Sequence, residues 1–349
     1  MTTIGLDLHK RESQLCILHP DGTIEERRIN TSRDRFTAVF GALPSGRVLL
    51  ESSTESEWVA RHLEQLGHEV IVADPNFAPM YATRSRRTKT DRRDAHALME
   101  ACRLGAYRPA HRLSDARRHV RAELAVREAL VRTRTRYIGL AKALVRRDGL
   151  RVPGSTSERV VERICALDIS VQLRAELHPL FQVLAPLNEQ IALADRRISA
   201  LEKTDPAVAL LATAPGVGPL TASAVVAVID DIARFASAHH FEAFLGLVPG
   251  ELSSGEKRRI GRITKAGNSR ARYILVEAAW RIIRSRREDT AALRAWAMNI
   301  AERRGKRIAV VALARRLAGI LYAMWRDGRA FDESKIRMPR PRVRALAHA

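Results

Sequence analysis

The order of the secondary-structure patterns at the start of the chain is the strongest constraint on its fold. Residues 4–9 place apolar side chains at every second position, the period of a β-strand. Two further strand patterns, SQLCILHP and TIEERRINTS, follow with a turn at Asp21 and Gly22 between them. The sequence therefore predicts an antiparallel sheet of three strands at the beginning of the chain.

After residue 31 the chain alternates between helical and strand patterns. These patterns cover residues 32–43, 47–53, 56–67 and 68–74, and a further helix starts near Asp91. Three strands followed by alternating helices and strands is the element order of the ribonuclease H-like fold. We therefore expect residues 1–112 to form an α/β domain of this ribonuclease H-like kind.

The remaining two thirds of the chain are mostly helical in pattern. Residues 113–206 predict a helical hairpin or coiled-coil linker that serves as a spacer or dimerisation arm. Apolar side chains in its second half recur at three- and four-residue steps, at Leu184, Leu187, Ile191, Ala194, Ile198 and Leu201. Residues 207–326 predict a mostly α-helical C-terminal domain, and residues 327–349 a disordered basic tail.

The charge balance indicates a polyanionic partner. The chain has 60 Lys and Arg against 39 Asp and Glu, a formal net charge of +21. Basic surfaces bind nucleic acid because neutralised phosphates release counterions. The sequence shows no apolar run approaching the roughly 20 residues that span a bilayer, and no signal-peptide pattern. We expect a cytoplasmic protein that binds nucleic acid and has no membrane partner.

The three cysteines carry no metal or disulfide signal. Cys16, Cys102 and Cys165 are widely separated and lack CxxC spacing. We expect them to be reduced, buried thiols.

Four acidic residues of the first domain could form a metal site. Asp7 lies within the first strand, Glu51 ends the apolar run of the fourth, and Asp91 and Asp94 share one face of a helix. Four adjacent carboxylates repel one another and stay ionised only with a cation between them. One or two Mg²⁺ ions fit, because Mg²⁺ takes oxygen ligands and binds phosphates.

Each of these acids taken alone also fits a structural role. Asp91 could cap a helix, Asp94 could be a favourable acid in its first turn, and Glu51 could be a solvated strand end. Asp7 is harder to explain in this way, because an acid among apolar strand residues is costly without a partner. The four together favour the metal site.

A basic run lies next to the proposed metal site. It could be an ordinary solvated face, but a phosphate backbone must lie near the metal, so we expect nucleic-acid contact. The run consists of Arg84, Arg86, Arg87, Lys89, Arg92 and Arg93.

The C-terminal domain contains two further motifs. The segment PGVGP resembles a helix-hairpin-helix motif, in which Gly216 and Gly218 would allow close approach to a phosphate. Serine and glycine are common in turns, so the sequence Ser253-Ser254-Gly predicts a loop. The loop is a candidate nucleophile site because a dense basic run follows it, formed by Lys257, Arg258, Arg259, Arg262 and Lys265.

Taken together, these motifs resemble the transposases of the insertion sequence 110 family, including its 1111 branch, and the related Piv DNA invertases. The resemblance rests on GLDLHK, LLESS and KTDRRDAHAL in the first domain. In the second it rests on PGVGP, FLGLVPGELSSGEKRRIGRITKAGN and GKRIAVVALARRLAGILYAMWRDG. It covers nearly the whole chain.

The resemblance implies a catalytic set, partners and an assembly. It implies a DEDD domain similar to that of Holliday-junction resolvases, with Asp7, Glu51, Asp91 and Asp94 as the acidic set. It implies a catalytic serine at Ser254, with Ser253 as the second choice, in a bacterial protein that acts on nucleoid DNA. It also implies strand exchange guided by a structured RNA, in a homodimer or homotetramer whose sites combine different subunits. A metal-dependent endonuclease of the resolvase type and a non-catalytic nucleic-acid scaffold remain as alternatives.

Overall fold

The computed structural model describes residues 1–81, 90–254 and 257–336, with residues 252–260 described only along the backbone. The chain divides into two compact units, Met1–Arg112 and Leu113–Ala349.

The first unit is built on a mixed five-stranded sheet. Its strands are β1 (Thr2–Leu8), β2 (Glu12–Leu18), β3 (Ile24–Asn30), β4 (Gly46–Glu51) and β5 (Glu69–Ala73). The strand order is β3-β2-β1-β4-β5, with β1 to β3 antiparallel and β4 and β5 parallel to β1. The predicted antiparallel opening is confirmed, and the sheet is compatible with the predicted ribonuclease H-like fold.

Helices cover both faces of this sheet. They are α1 (Arg33–Phe40), α2 (Ser56–Gln65) and α3 (Asp91–Leu104). On one face Val48 and Leu50 of β4 belong to the core that contains Phe36 of α1 and Leu63 of α2. On the other face Leu49 packs with residues of α3. Both faces of β4 are therefore buried, as its unbroken apolar run indicates.

The contact between α3 and β1 depends on Gly5. A Cβ atom at Gly5 would overlap the Ala95 carbonyl oxygen and the Met99 amide nitrogen, and would lie 2.9 Å from Met99 Cα. Ala95 and Met99 are themselves fully buried. Only glycine lets the helix backbone approach the strand this closely.

The substitution Gly5→Ala should push α3 away from β1. Overpacking of this kind costs about 1–3 kcal/mol of stability. Hydrogen exchange measured by mass spectrometry should show lost protection in β1 and α3. The control is Gly139→Ala, because Gly139 lies in a helix with no heavy atom within 4 Å of the added Cβ. Unchanged protection in Gly5→Ala would contradict this account of the packing.

The second unit begins with two long helices. They are α4 (Asp115–Arg147) and α6 (Val171–Thr204), with the short helix α5 (Val160–Cys165) between them. Arg127 pairs with Asp195, Arg134 donates to Asn188 at 3.1 Å, and Arg147 pairs with Glu176 at 2.8 Å. The residue numbers of the partners on α6 decrease as those of the arginines on α4 increase. The two helices are therefore antiparallel.

The rest of the second unit is helical apart from one hairpin. The helices are α7 (Pro206–Ala212), α8 (Pro219–Ile229), α9 (Ala238–Phe244), α10 (Ser269–Arg284), α11 (Ala291–Arg304) and α12 (Lys306–Asp327), and the hairpin is β6 (Pro249–Ser254) with β7 (Lys257–Ile263). The core is formed mainly by apolar residues of α8, α10 and α12, among them Val225, Leu275 and Leu317.

Helix α12 is a longer apolar segment than the sequence analysis anticipated. Among the described residues it is the one helix whose length and composition would allow it to cross a bilayer. Half of its most apolar stretch is buried, and Leu313, Leu317 and Leu321 belong to the core of the second unit. Its apolar character is therefore explained by packing within the protein.

The structure also refines expectations about the cysteines and the C-terminal tail. Cys16 and Cys102 are buried free thiols, and burial raises the pKa of each to about 11. Cys165, at the end of α5, is exposed, so the prediction that it is buried is wrong. Within the predicted tail, Phe331 and Ile336 pack against the core, whereas residues 337–349 lie outside the described part.

Candidate metal centre

Two of the predicted site acids reach the same edge of the sheet through neighbouring strands. The parallel pairing of β1 with β4 aligns Leu6 with Leu50, and Asp7 and Glu51 are the next residues along. Asp7 lies within β1, and Glu51 ends β4 and accepts a hydrogen bond from the Tyr81 hydroxyl.

The other two predicted acids lie in the first turn of α3. Thr90 caps this helix, its hydroxyl accepting a hydrogen bond from the Arg93 amide at 3.4 Å. Asp91 is about half exposed, whereas Asp94 is 5% exposed. The close approach at Gly5 holds this turn against β1, because Ala95 follows Asp94 directly.

The side chain of His9 connects the two groups of acids. Its Nε2 atom lies 3.3 Å from Asp7 Oδ2 and 3.4 Å from Asp91 Oδ1. Asp7, His9 and Asp91 each present one potential ligand atom, and these three atoms lie within 4.8 Å of one another. This group forms the candidate metal centre, with Glu51 and Asp94 beside it.

The electrostatics of Asp7 show how closely the acids are grouped. Burial raises its pKa from 3.8 to about 6. His9 opposes this rise, while the charges of Asp94, Asp91 and Glu51 add to it. The Asp7 Oδ2 atom is buried and accepts no hydrogen bond from any residue that the structure describes. An ionised Asp7 is therefore costly here unless a cation binds.

The basic residues predicted around this site are only partly described. Arg92 is largely exposed and pairs with Glu26, and Arg93 lies in the first turn of α3. The other four members of the run, Arg84, Arg86, Arg87 and Lys89, lie outside the described residues.

The two predicted serines are strand residues and not loop residues. Ser253 and Ser254 are the last two residues of β6, and the antiparallel register pairs them with Arg258 and Lys257 of β7. The expected loop is wrong for these two positions, because Ser253 and Ser254 end one arm of a hairpin. Arg259 lies farther along β7.

Two basic residues near the base of this hairpin are exposed, and their contact with nucleic acid stays a prediction. Arg262 is in β7, and Lys265 follows it with a positive φ of 56°. Gly267, two residues after Lys265, has a φ of 89°. A Cβ atom at this position would overlap the Phe244 carbonyl oxygen. The backbone at Gly267 therefore packs closely against the C-terminal end of α9.

The segment PGVGP forms the connection between α7 and α8. Gly216 has a φ of 72°, and a Cβ atom there would lie 2.5 Å from Ile282 Cγ1 of α10. Gly218 caps α8, and Pro219 is its first residue. A cavity of about 440 Å³ opens beside this connection and is also lined by Arg281 and Arg287. Phosphate contact at these glycines stays a prediction.

The sequence analysis did not assign a role to His9 or Tyr81. His9 follows Asp7 by two residues, and alternation along a strand indicated a shared side. Tyr81 carried no local signal, because its contact with Glu51 joins residues 30 positions apart.

Comparisons with known proteins agree with the motif resemblance. Residues 208–294 match the family model described as "Transposase IS116/IS110/IS902 family", and residues 4–147 match a model described as "Transposase", of the DEDD type found in IS110. A probable family 20 transposase of Pseudomonas aeruginosa is 30% identical over 330 residues, covering 93% of this chain and 96% of the relative.

Two further relatives are similar along nearly their whole length. The transposase of the element IS1111A from Coxiella burnetii is 29% identical, covering 92% of this chain and 88% of the relative. The transposase of IS1328 from Yersinia enterocolitica is 28% identical, covering 95% of this chain and 99% of the relative.

Replacing Asp7 by Asn should stabilise the metal-free protein. Because the folded-state pKa of Asp7 is raised to about 6, the folded protein holds its proton between about pH 4 and 6 while the unfolded chain loses it. The free energy of unfolding therefore falls as the pH rises through this window. At pH 7.5 the gain in Asp7→Asn should be at most about 3 kcal/mol.

Urea unfolding at pH 4 and pH 7.5, with chelator present, measures this effect. The control is Asp34→Asn, which removes an exposed acid from the first turn of α1. Equal stability of Asp7→Asn and the wild type at pH 7.5 would show that Asp7 bears no such electrostatic cost.

Proposed function

Since the chain belongs to the IS116/IS110/IS902 family of transposases, we propose that it cuts and rejoins DNA at the ends of an insertion sequence through a Mg²⁺-bound carboxylate site and a serine nucleophile. The observation that carries this proposal is the grouping of Asp7, Asp91 and His9, with Glu51 and Asp94 beside them. A transposase acts on DNA, so the basic composition of the chain has a ready explanation.

The residues of this group fit a divalent cation. The buried Asp7 Oδ2 atom makes no hydrogen bond among the described residues, although His9 Nε2 lies 3.3 Å away. Burial, with the charges of the neighbouring acids added to it, raises the Asp7 pKa to about 6. A DEDD-type domain is consistent with use of a divalent metal. We assign Mg²⁺ because the predicted donors are mainly carboxylate oxygens. Bound here, it would supply positive charge to the scissile phosphate.

The protein's own side chains have distinct tasks in this proposal. Asp7, Glu51, Asp91 and Asp94 hold the cation in place. Tyr81 orients Glu51 through its hydrogen bond to Oε1. The exposure of His9 and Asp91, each about half, leaves the group open to a phosphate from solvent.

The serine step is a transesterification. The Ser254 hydroxyl loses its proton and forms an oxygen–phosphorus bond, while the bond to one DNA oxygen breaks and that oxygen takes up a proton. The reverse attack by a DNA hydroxyl restores the serine and joins the strand. Arginine and lysine side chains of the hairpin, with Arg262 among them, would stabilise the added negative charge. Ser253 is the second choice for the nucleophile.

The wider assembly is part of the same proposal. A structured guide RNA would share the basic surface with DNA, and a homodimer or homotetramer would bring a DEDD domain together with the serine of another subunit. The antiparallel helices α4 and α6 supply a linker for such an arrangement, and the connection between α7 and α8 a helix-hairpin-helix contact to DNA. Such a complex would act in the bacterial cytoplasm.

Trapping of a covalent intermediate tests the serine. Full-length protein, flanking RNA, Mg²⁺ and labelled element-end DNA are incubated and separated by denaturing electrophoresis. A protein–DNA adduct should form with the wild type and with the control Ser269→Ala, which changes an exposed serine of α10. It should vanish with Ser254→Ala and with Asp7→Asn.

The alternatives give different results in the same experiment. Cleaved DNA ends without any adduct would indicate a resolvase-type endonuclease that uses water. DNA binding without cleavage in the wild type would indicate a non-catalytic scaffold. An adduct that persists in Ser254→Ala and disappears in Ser253→Ala would identify Ser253 as the nucleophile.

The basic hairpin should contribute to DNA affinity through charge. Arg262→Gln should weaken binding to all DNA sequences and reduce the slope of log affinity against log salt by about 1. Fluorescence anisotropy between 50 and 300 mM salt, about the range where such effects are strong, measures that slope. Arg103→Gln, which removes a cation paired with Glu100, is the matched control. The same slope in Arg262→Gln and wild type would exclude a phosphate contact.

A further inference from the structure

His9 occupies a fixed position at the end of β1. Its carbonyl oxygen accepts a hydrogen bond from the Thr31 hydroxyl at 2.8 Å. The Thr31 hydroxyl also lies 2.7 Å from that of Ser13, which is buried. The Thr31 amide donates to the Arg11 carbonyl at 2.9 Å, which holds the same turn from its other side. The backbone that carries the imidazole is therefore tied to the sheet at several points.

The imidazole nitrogen lies where a ligand atom would be needed. His9 Nε2 is 3.3 Å from Asp7 Oδ2 and 3.4 Å from Asp91 Oδ1. Atoms at adjacent corners of an octahedron with metal bonds of about 2.1 Å lie about 3 Å apart. The two distances from His9 Nε2 are thus close to the spacing of adjacent ligands around one ion, and the three potential ligand atoms all lie within 4.8 Å of one another. Small side-chain movements would complete the geometry.

The chemistry of the donors differs from that of an all-carboxylate site. Mg²⁺ favours oxygen donors, whereas imidazole nitrogen suits first-row transition ions, and Mn²⁺ accepts carboxylates as well. A position with one imidazole and two carboxylates therefore favours Mn²⁺ more than a position with carboxylates alone.

We propose that His9 Nε2 is a ligand in the metal centre, that it shares one ion with Asp7 and Asp91, and that it raises the affinity of this position for Mn²⁺ relative to its affinity for Mg²⁺. This inference rests on the proposed metal-dependent function. It adds a fifth residue to the four acids and assigns it a role in metal selection.

Pulsed electron paramagnetic resonance on full-length protein loaded with Mn²⁺ tests the coordination directly. The wild type should show modulation from a directly bound ¹⁴N nucleus, and His9→Gln should lack it. The control is His19→Gln, because His19 lies 3.2 Å from Glu25 and belongs to no metal-ligand group among the described residues. The His9 side chain is half exposed, so its replacement should leave the fold intact, as circular dichroism can verify.

Calorimetric titration with Mn²⁺ and with Mg²⁺ tests the selectivity. His9→Gln should lower Mn²⁺ affinity by about tenfold or more and change Mg²⁺ affinity much less. His19→Gln should change neither. Wild-type Mn²⁺ binding without a ¹⁴N signal, or an unchanged ratio of the two affinities in His9→Gln, would overturn the role of His9.

A third variant separates this inference from the function on which it rests. Asp7→Asn should abolish binding of both ions. If Mn²⁺ binding requires Asp7 but not His9, the metal-dependent function stands and only the role of His9 fails. The proposed metal centre itself is wrong if the wild type binds neither ion. It is also wrong if the Asp7→Asn variant binds both ions with the same affinity as the wild type.

Discussion

The close packing of α3 against β1 at Gly5 is the constraint on which the candidate site depends. No side chain separates the strand from the backbone at Ala95 and Met99. The first turn of α3 is consequently held beside the end of β1, where Asp91 and Asp94 approach Asp7. A larger residue at position 5 would preserve the strand pattern and separate the acids.

This packing has an electrostatic cost that matches the proposed chemistry. Burial and three neighbouring carboxylates raise the pKa of Asp7 to about 6, so an ionised site is unfavourable without a cation. In the proposed metal centre, the same arrangement that lowers the stability of the metal-free protein would favour binding of a divalent ion. Functional sites commonly contain ionisable groups with shifted pKa values. Carboxylates spaced farther apart would bind a metal ion less strongly.

Much of the first unit follows from local patterns. The period of two in residues 4–9 and the turn at Asp21 and Gly22 predicted the antiparallel strands, because strand and turn preferences act over a few residues. Resemblance of motifs identified the family, which the comparisons confirm. Ser254 was expected in a loop, but it lies at the end of β6. The prediction was wrong because the turn residues do not show at which residue the strand ends. Its catalytic role stays a prediction.

The sequence by itself determined the element order, the excess of basic charge and the kinds of residue available for chemistry. Only the tertiary structure decided that His9 joins Asp7 and Asp91, that Tyr81 reaches Glu51, and that the pKa of Asp7 is raised. The physical reason is that desolvation and Coulomb interactions depend on distance through space. Contacts between residues tens of positions apart exist only after the sheet and α3 have packed.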